Sequence, residues 1–403
     1  MARMTGLSNV AAIVGAYEHP TRFAPDKSEW QLLAEASRGA IEDAGLTPKH
    51  IDALFVPATA SEGGYLGTCA AIMAADYLNL QPKFIDETDV GGASLGYYVN
   101  RAVMGIHAGA FRCALIAYGA TTRSRQINVG TLTYNQLSQT ECIPIPDAFE
   151  QIYGTTVTSF MGLMAQRYMH TRGLTSEHLA AVAVTMRDHA RLNPDAMRRD
   201  PLTVDDVLAS PMIATPLHKY DCCIISDGAG AIVVASKDLI PETRKRPVWI
   251  RGFGESVMHH GGGHTDWSEE SRLMVKRACD QAYEMSGITH SDIDTAMIYD
   301  AFTYNVIVDL EGAGFCGVGE GGQFVADGQI RLDGGRLPVN PDGGGLSSNH
   351  PGRRGIFLFI EAVRQLRGEA VGRQVKDART AMCTATGAAF LARRGSAAHI
   401  LGI

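Results

Sequence analysis

Apolar positions in the first part of the chain follow two alternating rhythms. Short apolar runs at Asn9–Tyr17, Ile51–Val56, Lys83–Asp86 and Cys113–Tyr118 predict buried strands. Between them, Ser28–Asp43 sets Leu32, Leu33, Ala36 and Ile41 at helical spacing, and Gly45 supplies a left-handed stop. Leu66–Leu78 predicts a second helix. Ser94–His107 is apolar on nearly every face and is closed by Gly109, so its helix has to be covered on all sides. Strand alternating with helix predicts an α/β layered domain built on a largely parallel sheet.

The rhythm breaks between Arg123 and Lys219. Polar loops, helices at Thr158–His170 and Ser176–Leu192, and an acidic helix start at Thr203–Val207 describe a long insertion, and insertions of this length are usually functional. Ile224–Ala235 returns to turn and strand. A repeat then surfaces: Gly45-Leu46-Thr47 before Ile51-Asp52-Ala53 is matched by Gly287-Ile288-Thr289 before Ile293-Asp294-Thr295. The offset is constant, which predicts two related halves, 1–240 (carrying the insertion 123–219) and 247–403. In the second, strands are expected at Thr295–Tyr299, Thr380–Thr384 and Ala389–Ala392, and helices at Val306–Ala313 and Ile356–Leu366. The intervening 314–345 reads as loop.

Composition narrows the function classes. A chain of 403 residues with 45% apolar and 20% charged residues is ordinary globular material, long enough for more than one core. A net charge of −7 offers no basic field for nucleic acid or an anionic membrane. No apolar run approaches twenty residues, and Met1–Val10 lacks the layout of a signal peptide. The eight scattered cysteines, with Cys222–Cys223 as the one adjacent pair, suit reduced thiols in the cytoplasm.

The chemistry gathers around Gly343–Arg354, G-G-G-L-S-S-N-H-P-G-R-R. The glycines admit turns closed to other residues, and Pro351 is pre-set for the first turn of a helix. His350 is therefore expected at a helix entrance with its ring turned toward whatever the loop encloses. The cluster H-H-G-G-G-H (His259–His264) has glycine spacing without defined ligand geometry, so no metal is expected and a loop over the site is.

In order and spacing, D-C-C-I-I-S-D-G-A-G-A (Asp221–Ala231), Y-D-A-F-T (Tyr299–Thr303), E-G-A-G-F-C-G-V-G-E-G-G (Glu311–Gly322), L-P-V-N-P-D-G-G-G-L-S-S-N-H-P (Leu337–Pro351) and V-R-Q-L-R-G (Val363–Gly368) resemble the thiolase superfamily, nearest its sterol-carrier/lipid-transfer type. The resemblance covers nearly the whole chain. It implies two α/β halves in a five-layer αβαβα arrangement, a homodimer, and coenzyme A thioesters as substrates with no further cofactor. The family's nucleophilic cysteine position falls on Gly92, counting back from Gly109, and a glycine cannot carry an acyl group. Ser94 is the nearest hydroxyl but lies two residues into the helix and is expected to point elsewhere. The histidine of G-H-P falls on His350, the second cysteine on Cys383, and the third reactive position on Tyr299.

A site without a nucleophile can still run retro-aldol chemistry, which needs a base and a held enolate but no covalent intermediate. The resemblance places Tyr299 as the proton-transfer group, with His350 and the N–H groups of Gly92 and Ala385 around the oxyanion. Cys383 is either an auxiliary proton donor or a small core thiol. A tyrosine beside a missing nucleophile resembles the thiolase-like steroid side-chain aldolases, which work with a small OB-fold, zinc-ribbon partner. His350 and Cys383 depart from that subgroup. Cys223 matches a position that contacts the pantetheine arm, or is a buried small residue. Arg187 and Arg191, with Arg198 and Arg199, suit the 3′-phosphate of coenzyme A or a solvated helix face. Two other readings stay open: a thiolytic acetyl-CoA acyltransferase (3-ketoacyl-CoA thiolase) and a non-catalytic lipid- or acyl-CoA-binding subunit. The side chains Tyr153, Phe160, Met161 and Met164 hint at a bulky acyl group.

Overall fold

Helix ends fall where capping chemistry puts them. In the computed structural model, which describes residues 4–57, 70–126, 156–259, 266–390 and 393–403, helix α1 (Glu29–Ala44) starts on a Ser28–Gln31 capping box and stops at Gly45, φ 76°. Helices α2 (Ala70–Tyr77) and α3 (Ser94–His107) follow. The insertion gives α4 (Val157–Arg172), α5 (Ser176–Leu192) and α6 (Val204–Leu208), each begun by a threonine cap. Beyond it stand α7 (Trp267–Ser286), α8 (Thr303–Gly312), α9 (Gly321–Ala326) and α10 (Gly355–Arg367). The expected loop 314–345 thus contains a short helix, and Pro351 lies ahead of α10 rather than in its first turn.

The strands are β1 (Ala11–Glu18), β2 (Ala53–Phe55), β3 (Phe84–Asp86), β4 (Cys113–Ala120), the hairpin β5 (Met212–Ala214) and β6 (Leu217–His218), β7 (Gly228–Ser236), β8 (Val248–Met258), β9 (Thr295–Ile298), β10 (Thr380–Phe390) and β11 (Arg393–Gly402). Apart from the hairpin they form one sheet in the order β3-β2-β4-β7-β1-β8-β11-β10-β9. It is mixed, not largely parallel. Only β2–β3, β2–β4 and β9–β10 run parallel. The pairs β1–β7, β4–β7, β8–β11 and β10–β11 are antiparallel. So is the seam β1–β8, where Ala12 faces Trp249. Of the expected strand Ala389–Ala392, the first two residues are the end of β10, and the other two lie outside the described residues.

The sequence repeat is a structural one. Gly45 and Gly287 both take the left-handed cap, at φ 76° and 69°. Asp52 accepts the Arg112 N–H just ahead of β4, and Asp294 accepts the N–H groups of Arg379 and Thr380 at the start of β10. A side-chain carbon on Gly15 would stand 2.1 Å from the Ala40 carbonyl, and one on Gly252 would stand 2.2 Å from that of Ala282. In both places only glycine lets the outer helix lie this close to its strand.

Helices α3 and α10 form the middle layer. Their apolar faces share one core with both sets of strands, through Leu95, Tyr98, Val99, Phe357, Leu358 and Ile360. Helix α1 covers the outer face of the first strands, α7 and α8 that of the second. The all-round apolar character of Ser94–His107 is met by this double cover. No helix among the described residues is long and apolar enough to cross a membrane.

Candidate active site

Strand β9 ends at Ile298 and delivers Tyr299, whose N–H donates to the Thr384 carbonyl of β10 at 3.0 Å. The ring leans toward the middle layer. A side-chain carbon built on Gly92 would lie 2.3 Å from two carbons of that ring and 2.6 Å from its oxygen. The phenol therefore occupies the volume into which a side chain at 92 would project. The Tyr299 hydroxyl is 3.2 Å from His350 Nε2, and the Arg354 N–H points at the same oxygen from 3.4 Å. Gly92, Tyr299 and His350 thus share one buried place.

His350 is held by its neighbours rather than by a helix. Its N–H donates to Ser226 Oγ at 2.9 Å. Ahead of it, a wide turn at Gly344–Ser348 wraps the Asp300 carboxylate, which accepts the N–H of Gly345 at 2.7 Å and of Leu346 at 3.2 Å. A side-chain carbon on Gly344, at φ 67°, would stand 1.9 Å from that carboxylate, which is why glycines stand here. The fully buried Arg354 closes the loop, donating to Asp342 at 2.6 and 2.8 Å and to Asn349 Oδ1 at 2.7 Å, with Asp300 at 3.4 Å. A buried cation without such partners would be strongly destabilising. Asp300 stood in the Y-D-A-F motif without a role; its contact with the glycine run is invisible until the chain is folded.

Burial sets the protonation states. His350 is pushed down to about 3 by burial and then by the Arg354 charge, so it is a neutral imidazole at physiological pH. The Tyr299 phenol is pushed well up by burial and then by the Cys223 thiol, with the Arg354 N–H and the Arg353 charge opposing. Cys223 itself is raised by burial, and its N–H donates to the Ala301 carbonyl at 2.8 Å. Its backbone is thereby tied to the segment that follows Tyr299.

The remaining predicted residues are distributed unevenly. Ser94 hydrogen-bonds within its loop, to the Gly91 carbonyl and the Val90 N–H at 2.8 Å each. Cys383 is buried, its thiol raised by burial and 3.6 Å from the Leu358 carbonyl; no hydrogen bond joins it to Tyr299 or His350. Ala385 pairs with Ala397 inside the sheet, and β10 meets the Gly92 loop two residues later, at Gly387. A side-chain carbon there would be 1.9 Å from the Val90 carbonyl and 2.5 Å from the Gly92 nitrogen. Arg187 is buried, donating to Ser347 Oγ and the Asp200 carbonyl, while Arg191 is exposed beside Asp188. Phe160, Met161 and Met164 are core residues. Tyr153 and His260–His264 lie outside the described residues. Among the described residues, no cluster of three or more His, Cys, Asp or Glu side chains could hold a metal.

Comparison with known proteins agrees with this architecture. Residues 11–238 match the family described as thiolase, N-terminal domain, and 254–402 the one described as thiolase C-terminal domain-like. The chain belongs to the thiolase family. This thiolase-family chain is 34% identical over 376 residues to the 17-hydroxy-3-oxo-4-pregnene-20-carboxyl-CoA lyase of Mycobacterium tuberculosis, covering 91% of this chain and 93% of the relative. It is 33% identical over 380 residues to an acetyl-CoA acetyltransferase of Methanothermobacter thermautotrophicus, covering 92% and 94%. Among solved structures, the Ltp2-ChsH2(DUF35) aldolase is similar with a TM-score of 0.83 and 31% identity, 98% of each chain being covered.

Proposed function

We propose that this thiolase-family enzyme makes or breaks a carbon–carbon bond beside a coenzyme A thioester by aldol chemistry, without an acyl-enzyme. One observation carries the reading: the Tyr299 ring fills the space that a nucleophile at 92 would need. In the cleavage direction, Tyr299 acts as the phenolate, whose oxygen takes the proton of a β-hydroxyl. The Cα–Cβ bond then breaks, its electron pair passes into the thioester as an enolate, and return of that proton from Tyr299 to the enolate carbon releases a carbonyl compound and a shortened acyl-CoA and restores the phenolate.

The ionised Tyr299 oxygen has donors in place, from the Arg354 N–H and from His350 in the tautomer that carries hydrogen on Nε2. For the enolate oxygen we assign the Gly92 N–H group; Ala385 pairs with Ala397 inside the sheet, so its N–H is left out of the assignment. Each preorganised donor is worth about 3–4 kcal/mol in such a transition state. Cys383 is left as a core thiol because its sulfur is engaged with Leu358. Coenzyme A enters as part of the substrate, with no resident cofactor, along a face that includes Cys223 and Arg187.

The substrate class we favour is a β-hydroxyacyl-CoA with a bulky ring system. The name of the lyase relative, with its 17-hydroxyl and 20-carboxyl-CoA, supports this. The name of the Ltp2-ChsH2(DUF35) aldolase supports a small partner chain. An exposed apolar edge, Phe84 and Ile85 of β3 with Ile72, Met73 and Tyr77 of α2, supports a homodimer joined there. Free thiols at Cys222, Cys223 and Cys316 support the cytoplasm.

The test is to incubate the protein with a tertiary β-hydroxyacyl-CoA and follow products by mass spectrometry. The expected result is a ketone and a shortened acyl-CoA, with kcat lowered about 10²–10⁴-fold in Tyr299→Phe at unchanged KM. A stable acyl adduct on any residue overturns the non-covalent route. Coenzyme A-dependent cleavage of a β-ketoacyl-CoA would instead favour the acyltransferase reading, which the acetyltransferase relative keeps in view. Binding indifferent to Tyr299→Phe and His350→Ala would favour a carrier.

A further inference from the structure

The loop that carries His350 is gripped from the other half of the molecule by a carboxylate with no part in the scheme above. Glu18 closes β1, and its side chain is 7% exposed. It meets three donors. Its Oε1 accepts from Arg22 Nη2 at 2.7 Å and from Asn349 Nδ2 at 2.5 Å, and its Oε2 accepts from Arg364 Nη1 at 2.6 Å. Burial would raise its pKa, but the charges of Arg22 and Arg364 outweigh it and hold the carboxyl down at about 2. Glu18 is therefore ionised, and an ionised carboxylate only accepts.

Asn349, the residue before His350, is fully buried between groups of opposite kind. Its Nδ2 faces the Glu18 carboxylate, and its Oδ1 accepts from Arg354 Nη1 at 2.7 Å. A guanidinium only donates, so the amide has one direction that satisfies both ends. Turned round, it would set its NH2 against the guanidinium and its oxygen against the carboxylate. The same Arg354 Nη1 holds the Asn349 carbonyl at 3.1 Å, while Ser226 Oγ accepts the His350 N–H at 2.9 Å. Both polar atoms of the peptide unit joining 349 to 350 are thus fixed. His350 Nε2 then stands 3.2 Å from the Tyr299 hydroxyl. Arg22 adds a second grip on the loop, its Nε donating to the Ser348 carbonyl at 3.1 Å.

We propose that Glu18 is a positioning residue for His350: by fixing the direction of the Asn349 amide, it sets where the imidazole stands against Tyr299. Its bearing on catalysis rests on reading Tyr299 and His350 as reacting groups. A carboxylate that merely neutralised Arg22 and Arg364 would have to stay at 18. One that directs the amide can trade places with it. Glu18→Gln leaves one oxygen for three donors, and Asn349→Asp sets two carboxylates face to face. Made together, the two changes restore a donor facing an acceptor, keep an oxygen for Arg354, and return the net charge of the pair.

Nitrogen-15 NMR of the histidine rings, without substrate, reads the placement directly, the His350 signals being identified by their loss in His350→Gln. They are expected to move in Glu18→Gln and in Asn349→Asp and to return toward their original positions in the exchange variant. Signals that do not move, or that do not return, overturn the proposal. Should Glu18→Gln fail to fold, Asn349→Asp decides alone, and unmoved His350 signals overturn the proposal. Kinetics with a tertiary β-hydroxyacyl-CoA separate the two layers of the reading. Each single variant is expected to lower kcat about 10–100-fold at unchanged KM, and the exchange to regain about tenfold. If the signals move and return while kcat stays level, the part given to His350 in the reaction fails and its placement by Glu18 stands.

Discussion

Gly92 and Tyr299 compete for a single volume, and only one of them can own a side chain there. Alanine at 92 would bring a carbon within 2.3 Å of the ring, so the ring must leave its hydrogen bonds or the loop must give. Gly92→Ala is therefore expected to lower both activity and Tm, while Gly92→Ala with Tyr299→Ala recovers much of the Tm. A coupling of about 1 kcal/mol or more in the double-mutant cycle is the expected reading, and strictly additive losses would remove the shared-volume argument. The glycine at 92, the phenol at 299 and the imidazole at 350 were all legible as residue types. Their mutual distances were not, because three distant segments meet only once both halves are packed. The same reason hid Asp300, Arg354 and Gly387, whose meaning lies in the backbone atoms they face.

At the scale of elements, capping signals gave accurate helices wherever a threonine or serine opened and a glycine closed them. Helix α8 began at Thr303, ahead of the expected Val306, because no side chain caps it. Strands were harder. β8 interleaves arginine, glycine and glutamate with apolar residues, and β11 opens on two arginines and carries a serine and a histidine although nearly all of it is buried, so neither shows a continuous apolar run. The expected parallel sheet failed for a connectivity reason: β7 returns after the insertion and β11 follows β10 directly in the chain, and neither needs the crossover helix that makes neighbours parallel. The edge strand β3 carries its own prediction. With Phe84 and Ile85 each 42% exposed, Phe84→Lys/Ile85→Lys is expected to reduce the light-scattering mass from two chains to one. A two-chain mass in that variant would overturn the homodimer proposed at this edge.

For the whole molecule, buried titratable groups pull against each other. His350 and His399 are each pushed down to about 3 by burial, and so resist protons that the unfolded chain takes up near its ordinary value of 6.5. That contribution is lost as pH falls from 6.5 toward 3. Burial raises Asp309 to about 7 and Asp300 to about 6, so the folded chain takes up protons there and gains stability as pH falls toward 4. Glu18 would be raised by burial, but Arg22 and Arg364 outweigh it and hold it near 2 (about 2), so its contribution fades below 4.5. Tm should stay nearly level from pH 7 to about 4.5, where these trends offset, and fall steeply below 4, where only losses remain. Thermal melts across that range check it; a steady decline beginning at pH 7 would contradict the offset. The double cover of α3 and α10 has a further consequence, for biogenesis. While the chain is being made, α3 emerges long before α10, and both emerge before β10 and β11. Until β11 has been made, the apolar faces of α3 and α10 lack part of their cover, and surface exposed in this way is prone to aggregate.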